Sequence, residues 1–323
     1  MRPTGRLHIG HWFGALQNWV KLQEEYDCIY CVVDLHALTT GFEDVSRIHE
    51  DGLEMLADWI GAGVDVERSI VFRQSQVPEH SELALLLGMV TPKSWLERVP
   101  TYRGQIAELG DEIDTYGFLG YPLLQTADII LYHATKVPVG KDQLPHLELA
   151  REVVRRFNHL YGGGEGAEVF PEPDAVLTEA PVLLGIDNRK MSKSYGNAIE
   201  LGADADTVRQ MVGRMITDPQ KVRKGDPGRP EICNVFGYDK LFDTPPDRVV
   251  EIDRNCRSGE LGCVEHKREI SERIVEYLRP FRERREQALA DRGELERVLV
   301  QGAERAREIA ASVMDRTREA MGL

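Results

Sequence analysis

The chain has 323 residues, 42% of them hydrophobic, enough to bury the core of one large or two moderate domains. Its net charge of −14 excludes a general nucleic-acid coat, although not a local contact surface. No apolar run reaches the length of a membrane span and no secretory pattern opens the sequence. The five cysteines, an odd number, fit a reducing cytoplasm better than a disulfide scaffold.

The chain opens with Arg2-Pro3-Thr4-Gly5 and then His8-Ile9-Gly10-His11. Two imidazoles flank a glycine that lets a ligand approach the backbone, and both rings can donate to phosphoryl oxygens. On its own the same word is an ordinary helix start with surface histidines. Residues 28–33 form an apolar, β-branched run that reads as a buried parallel strand. Cys28 and Cys31 make a C-x-x-C there, but residues three apart on a strand face opposite ways, which argues against a redox pair. Val45, Ile48, Leu53, Leu56, Trp59 and Ile60 approximate a helical stripe, and 69–72 is a second strand.

At 121–132, Pro122 suits a first helical turn, and Tyr121, Gln125, Asp128 and Tyr132 then fall on one polar-tipped stripe. A carboxylate among Leu124, Ile129 and Ile130 is costly to bury without a partner. Asp128 is therefore either a satisfied core aspartate or a pocket wall that accepts a hydrogen bond from a substrate. A helix is predicted over 144–157, a flexible connector over the glycine-rich 162–166, and a short strand over 182–184. This βαβ rhythm predicts an open α/β sheet, and the lack of a G-x-G-x-x-G after a strand counts against a dinucleotide oxidoreductase.

Lys190-Met191-Ser192-Lys193-Ser194 places two lysines on a short polar loop, where they can clamp departing phosphates. From about Ile199 helices dominate, broken at 225–230 and 245–246. Lys221, Arg223, Lys224 and Arg229 form one basic loop, open to a solvated or a contact role alike. Leu295, Val298, Leu299, Ala306, Ile309, Ala310, Val313 and Met314 recur at helical spacing as a last amphipathic helix.

The two short words together resemble the HIGH and KMSKS signatures of class I aminoacyl-tRNA synthetases. Along nearly its whole length the chain is similar to the bacterial tryptophanyl-tRNA synthetase family. The likeness is also carried by Val33-Asp34-Leu35-His36-Ala37, Gln74-Ser75-Gln76-Val77-Pro78-Glu79-His80, Ser94-Trp95-Leu96-Glu97-Arg98, Tyr121-Pro122 through Asp128 to Leu131-Tyr132, and Val137-Pro138-Val139-Gly140-Lys141-Asp142-Gln143. It implies a Rossmann-like, doubly wound parallel sheet over 1–196. A smaller all-helical anticodon-binding domain would follow over 197–290, with the helix at 294–321 packed back on the first domain.

The implied reaction is ATP-dependent activation of L-tryptophan, with Mg²⁺, and its transfer to the tRNA for tryptophan by a cytoplasmic homodimer. His8, His11, Lys190 and Lys193 are the implied catalytic residues. Arg2, Pro3, Thr4, Gly10, Gly140, Lys141, Asp142, Pro181, Val182, Met191, Ser192 and Ser194 would join His11, Lys190 and Lys193 in holding ATP. Lys141 stands where the family usually has glutamate. Asp128 would accept from the indole N–H, Val137 and Val139 would be apolar walls, and His36, Tyr121, Gln125 and Gln143 would complete the tryptophan pocket. The family also places a strand ahead of the segment matching Arg2-Gly5, whereas this sequence begins at Met1.

Cys233, Cys256 and Cys263 match three of the four cysteine positions at which a subgroup of the family carries a [4Fe–4S] cluster, and His266 stands at the fourth. That set implies a cluster or zinc, or else three unligated thiols. The readings weighed against tryptophan ligation are tyrosyl-tRNA synthetase, nucleotidylyl transfer by a small enzyme with the histidine word, and a non-catalytic paralogue.

Overall fold

The computed structural model describes residues 1–163, 168–177 and 183–323. Among the described residues four short strands form two parallel pairs: β1 (Ile29–Val32) with β2 (Ile70–Arg73), and β3 (Lys136–Val139) with β4 (Asp174–Leu177). The register of the first pair runs from Ile29 opposite Ile70 to Val32 opposite Arg73.

Side-chain alternation sends Tyr30, Val32 and Val71 into one apolar cluster, and Ile29, Cys31, Ile70 and Phe72 into another. The pair is thus covered on both faces, as a parallel sheet requires. Cys28 and Cys31 belong to different clusters, and both are free thiols. One face carries the helix Ile48–Ala62, with Leu53, Leu56 and Trp59 buried. Most of the long C-terminal helix, Arg292–Met321, lies on the other, with Ala303, Ala306, Ala310 and Met314 buried. Its Gly302 rests against β2 so closely that a Cβ would stand 1.8 Å from the Val71 carbonyl oxygen.

Between β1 and β3 lies a cavity of about 550 Å³. At its edge the Met1 amino group donates to the Cys31 carbonyl (2.6 Å) and the Met1 carbonyl accepts from Val33 N–H (3.0 Å), the hydrogen-bond pattern of a parallel neighbour to β1.

The helical region after residue 197 shares a core with the sheet region. Val208, Val212, Val235, Tyr238, Ile270 and Leu278 belong to the same cluster as Val32 and Trp59. A buried ionic knot fastens the seam. Arg285 of the helix Cys263–Ala290 pairs with Asp58 (2.6 Å) and with Glu54, and the second Asp58 oxygen accepts from Leu7 N–H at 2.7 Å. Burying these charges is tolerable because each has a partner, and the knot fixes the backbone just ahead of His8.

The helix around Asp128 differs from expectation. It runs Tyr116–Ile130, capped by the Thr115 hydroxyl accepting from Phe118 N–H, so Pro122 sits inside it and not in its first turn. The missing proline N–H costs one helical hydrogen bond, and the earlier cap outweighed the proline as a start signal. The helix predicted over 144–157 extends as Leu144–Tyr161. Of the strand expected at 182–184, Val182 lies outside the described residues and Leu184 makes an isolated bridge to Lys190. The connector at 162–166 likewise falls partly outside them.

Candidate active site

Two short backbone pairings bring the distant words together. Leu7 O accepts from Leu201 N–H (2.9 Å) and Ile9 N–H donates to Ile199 O (3.0 Å), an antiparallel bridge just beyond the lysine loop. His8 ends that extended stretch, and a helix starts at Ile9. The His8 N–H donates to Nδ1 of His11 (3.1 Å), and the two rings lie 3.7 Å apart. Gly10 sits between the His8 ring and Met191. A Cβ there would meet the ring at 2.9 Å and the Met191 sulfur at 3.6 Å, so a side chain at this position would displace the His8 ring.

Lys193 reaches back across the chain, its ammonium 3.0 Å from the Thr4 carbonyl. His8, Gly10, His11, Thr4, Met191 and Lys193 therefore form one constellation. Lys190 is exposed, held through its carbonyl by Asn197 Nδ2 at 3.1 Å. Asn197 also accepts from Ser192 N–H (2.8 Å) and is buried, so it fixes both ends of the first half of the lysine loop.

No carboxylate acts on His8 or His11, whereas Asp58, Asp51 and Glu200 act on Lys193 without pairing with it. Burial pulls the His8 imidazole down to about 4, aided by Lys193. Burial, then His8 and Lys193, pull His11 down to about 3. Both rings are neutral at pH 7 and act as hydrogen-bond donors. Burial also lowers the Lys193 ammonium. Nδ1 of His8 is buried without a partner among the described residues. An anion placed here would gain donors and a cation, Lys193, that makes no ion pair among the described residues.

The second constellation lies at the carboxyl ends of the parallel strands, where open α/β sheets place their ligands. After β1 comes the helix Asp34–Gly41 with His36, after β2 the turn Gln74–Gln76, and after β3 Gly140 and the turn Lys141–Gln143. The helix with His36, Gln143 and the helix Tyr116–Ile130 border a cavity of about 370 Å³, with Gln74 behind Asp128. Its walls include Arg2, His36, Tyr121, Gln125, Asp128 and Gln143. That volume suits an amino acid. Val137 faces the neighbouring larger cavity with Asp128, and Val139 lines neither. Asp142 accepts from the Gln143 amide at 2.8 Å, and Lys141 points to solvent. Pro181 and Val182 lie outside the described residues, as does the Ser194 side chain.

Asp128 accepts from Gln74 Nε2 (2.6 Å), His80 Nδ1 (2.7 Å) and His36 Nε2 (3.0 Å). Burial pushes its carboxyl up, but the hydrogen bonds from His36 and His80 outweigh that and hold it below the ordinary range. Tyr121 OH lies 2.6 Å from His146 Nε2 and 2.8 Å from the Thr101 hydroxyl. Burial lowers the His146 imidazole, which keeps it able to accept from the phenol. Gln74, His80, Thr101, His146 and Asn197 were given no role in the sequence reading. The available signal was a run of polar residues at 74–80 directly after a predicted strand.

A model of the tRNA synthetases class I (W and Y) matches residues 1–279. The chain belongs to this family. A tryptophan–tRNA ligase of Thermotoga maritima is 47% identical, with 100% of this chain and 98% of the relative covered. That of Aquifex aeolicus is 42% identical with the same coverage. A tryptophanyl-tRNA synthetase of Campylobacter jejuni, solved with ADP and tryptophan, superposes with a TM-score of 0.90 at 32% identity, covering 100% of this chain and 98% of that one. The class I Rossmann-like fold and the aminoacyl-tRNA synthetase class read from the sequence are those of this chain. No described helix is long and apolar enough to cross a membrane.

Nothing among the described residues supports a metal at the cysteine set. Cys233, Cys256, Cys263 and His266 do line one cavity, but its volume is only about 10 Å³. His266 gives Nε2 to the buried Asp239 at 2.6 Å. Among the described residues no group of three metal-binding side chains is arranged around a common point. Spacing brought the thiols together, and His266 spends only Nε2 on Asp239. The basic loop is also partly internal. Lys221 is buried on the Cys256 carbonyl (3.1 Å) and Arg229 makes a forked pair with Asp218, which leaves Arg223 and Lys224 exposed.

Proposed function

We infer that this enzyme activates L-tryptophan with ATP and transfers it to the 3′ end of the tRNA for tryptophan. The observation that carries the reading is an ionised, half-buried Asp128 at the wall of an amino-acid-sized cavity, with three donors behind it. An indole N–H supplies the next donor, with Val137 beside Asp128 in the adjoining cavity. Phenylalanine has no such donor and would leave the carboxylate underpaired, a rejection worth about 10⁴–10⁵ in sites built this way. Tyr121 and Gln143 hold the α-amino group, with Gln125 and His36 as further pocket walls.

In the first step the tryptophan carboxylate attacks the α-phosphorus and pyrophosphate leaves. The substrate brings its own nucleophile, so the protein supplies alignment and charge stabilisation. His8 and His11 donate to phosphoryl oxygens. Lys190 and Lys193 follow the departing pyrophosphate on the 190–194 loop, whose Met191, Ser192 and Ser194 back the nucleotide. Arg2, Pro3, Thr4 and Gly10 line the triphosphate, Gly140, Lys141 and Asp142 hold the ribose, and Pro181 and Val182 meet the adenine. Mg²⁺ arrives as the counter-ion of the triphosphate, and no residue of this chain is assigned to it.

The proposal extends to a catalytic unit at 1–196, an anticodon-binding helical unit at 197–290, a cytoplasmic setting and a symmetric homodimer. Light scattering tests the dimer as a mass twice that of the chain. ATP–pyrophosphate exchange over a panel of amino acids tests the activity. Exchange with tryptophan and little with tyrosine or phenylalanine is expected, and exchange led by tyrosine, or none at all, overturns the reading.

A further inference from the structure

The 74–80 segment carries polar side chains that the reaction does not use. Gln74 and His80 are both fully buried, in contact with Asp128. A carboxylate offers about four acceptor positions, two on each oxygen. Gln74 Nε2 and His80 Nδ1 both donate to Oδ1, at 2.6 and 2.7 Å, which completes that oxygen. His36 Nε2 takes one position on Oδ2 at 3.0 Å. One position on Oδ2 remains, and the Asp128 side chain is 16% exposed where it borders the cavity.

His80 has no freedom to turn. A carboxylate only accepts, so Nδ1 must be the donor toward Asp128. Nε2 lies 2.7 Å from the Tyr132 hydroxyl, and the Phe72 ring packs against the imidazole with centroids 5.7 Å apart. Gln74 is fixed at its other end, where its carbonyl accepts from His36 N–H at 3.4 Å.

The geometry points to His80 as a positioning residue for amino-acid selection: it locks the Asp128 carboxylate so that one acceptor position faces the cavity. This rests on the reading of Asp128 as the acceptor for the indole N–H. Lone-pair occupancy then becomes the selecting device. The site takes one donor at one place, and a ligand without it leaves the position empty. The groups that face Asp128 are the Met1 amino group, Cys31 on β1, His36, His80 and, through Tyr132, Glu79. Burial of the carboxylate opposes its ionisation and the two imidazoles favour it. Losing His80 should move its protonation toward neutral pH.

The test compares tryptophan with its isostere in which sulfur replaces the indole N–H, reading the ratio of kcat/KM in ATP–pyrophosphate exchange. Wild type is expected to favour tryptophan strongly. If it does not, the Asp128 reading itself fails. In His80→Leu the ratio should fall about tenfold to a hundredfold, the scale of a hydrogen bond to a charged group. The loss should appear as a higher KM for tryptophan with an unchanged KM for ATP, and the acid limb of kcat/KM should move to higher pH. His80→Asn, which keeps a donor near the Nδ1 position, should restore most of the ratio. Tyr132→Phe frees Nε2 and should lower the ratio about two- to fivefold, the scale of a neutral hydrogen bond, so it carries the test if His80→Leu does not fold. An unchanged ratio in a folded His80→Leu, or in Tyr132→Phe, overturns the proposal while leaving the Asp128 reading intact. Parallel loss for tryptophan and ATP, with no rescue by asparagine, also overturns it.

Discussion

Around Asp128, Gln74, His36 and His80 fill three acceptor positions within 3.0 Å, whereas at the other end of the site His8 keeps a buried Nδ1 without a partner and Lys193 rests on a single carbonyl. Burial acts on both ends, but with different outcomes. At Asp128 it is outweighed by hydrogen bonds that stabilise the charge. At His8 and His11 nothing outweighs it, and both imidazoles are driven to the neutral form. One end is complete before the substrate arrives and selects by leaving a single place. The other is electrostatically incomplete and is stabilised by the anion it binds. Selectivity therefore resides at the first end and stabilisation of the departing phosphates at the second.

The sharpest way to break this contrast is Asp128→Asn. It keeps the shape, removes the charge and turns an N–H toward the donors at one position. The expected loss in kcat/KM for tryptophan is about 2–4 kcal/mol, with a further stability loss of about 1–3 kcal/mol from the donors left unpaired. The KM for ATP should hold. Exchange kinetics and thermal melts check both parts, and near-normal tryptophan use would mean that the completed end does not select.

At the incomplete end, Lys193→Ala should lower kcat by about 10²–10³ while the KM for ATP changes little, because the lysine meets charge that develops as pyrophosphate leaves. Melting should be little affected, since the half-buried Lys193 ammonium makes one carbonyl hydrogen bond. A rise in the KM for ATP at constant kcat would make the loop a ground-state binder. Gly10→Ala probes the same end by sterics. Its Cβ would stand 2.9 Å from the His8 ring, so either the ring or the helix start must shift. We expect about tenfold lower kcat and a stability loss of about 1–3 kcal/mol. Full activity would show that the His8 ring position is not required.

The contrast also explains what could be read from the sequence. Lysines and histidines at the incomplete end stand in short contiguous words, so their chemistry is visible without a fold. The sheet was legible for a similar reason: 28–33 and 69–72 are apolar, β-branched runs, and they appear as Ile29–Val32 and Ile70–Arg73. Asp128 was legible because a carboxylate on an apolar helix needs an explanation. Its partners were not, since Gln74 and His80 lie 54 and 48 residues away and meet it only through the helix packing. Asn197 and His146 escaped for the same reason, as buried polar residues whose partners are set by tertiary structure. Pro122 misled because its local preference for a first turn was overridden by the Thr115 cap. The cysteine spacing predicted proximity, and Cys233, Cys256, Cys263 and His266 do line one small cavity.

The smallest effect tests whether the phosphate end is desolvated. The His11 imidazole ordinarily titrates near 6.5 and is drawn down to about 3 in the folded chain. Between those values the unfolded chain takes up a proton that the folded chain refuses. Stability therefore falls as pH drops through this window, at most about 1.4 kcal/mol per pH unit for one full proton. His8, drawn down to about 4, adds to the same slope. His11→Asn keeps a polar group near the position of Nδ1 and removes the titration, so melting temperature against pH should fall less steeply between about pH 6.5 and 4 than in wild type. The curves should meet again near neutral pH. Saturating ATP should flatten the wild-type slope, because phosphate oxygens beside the rings offset the burial that disfavours their protonation. Parallel curves for variant and wild type without nucleotide would mean that water reaches His11 freely, and the two ends of the site would then differ less than their hydrogen bonding shows.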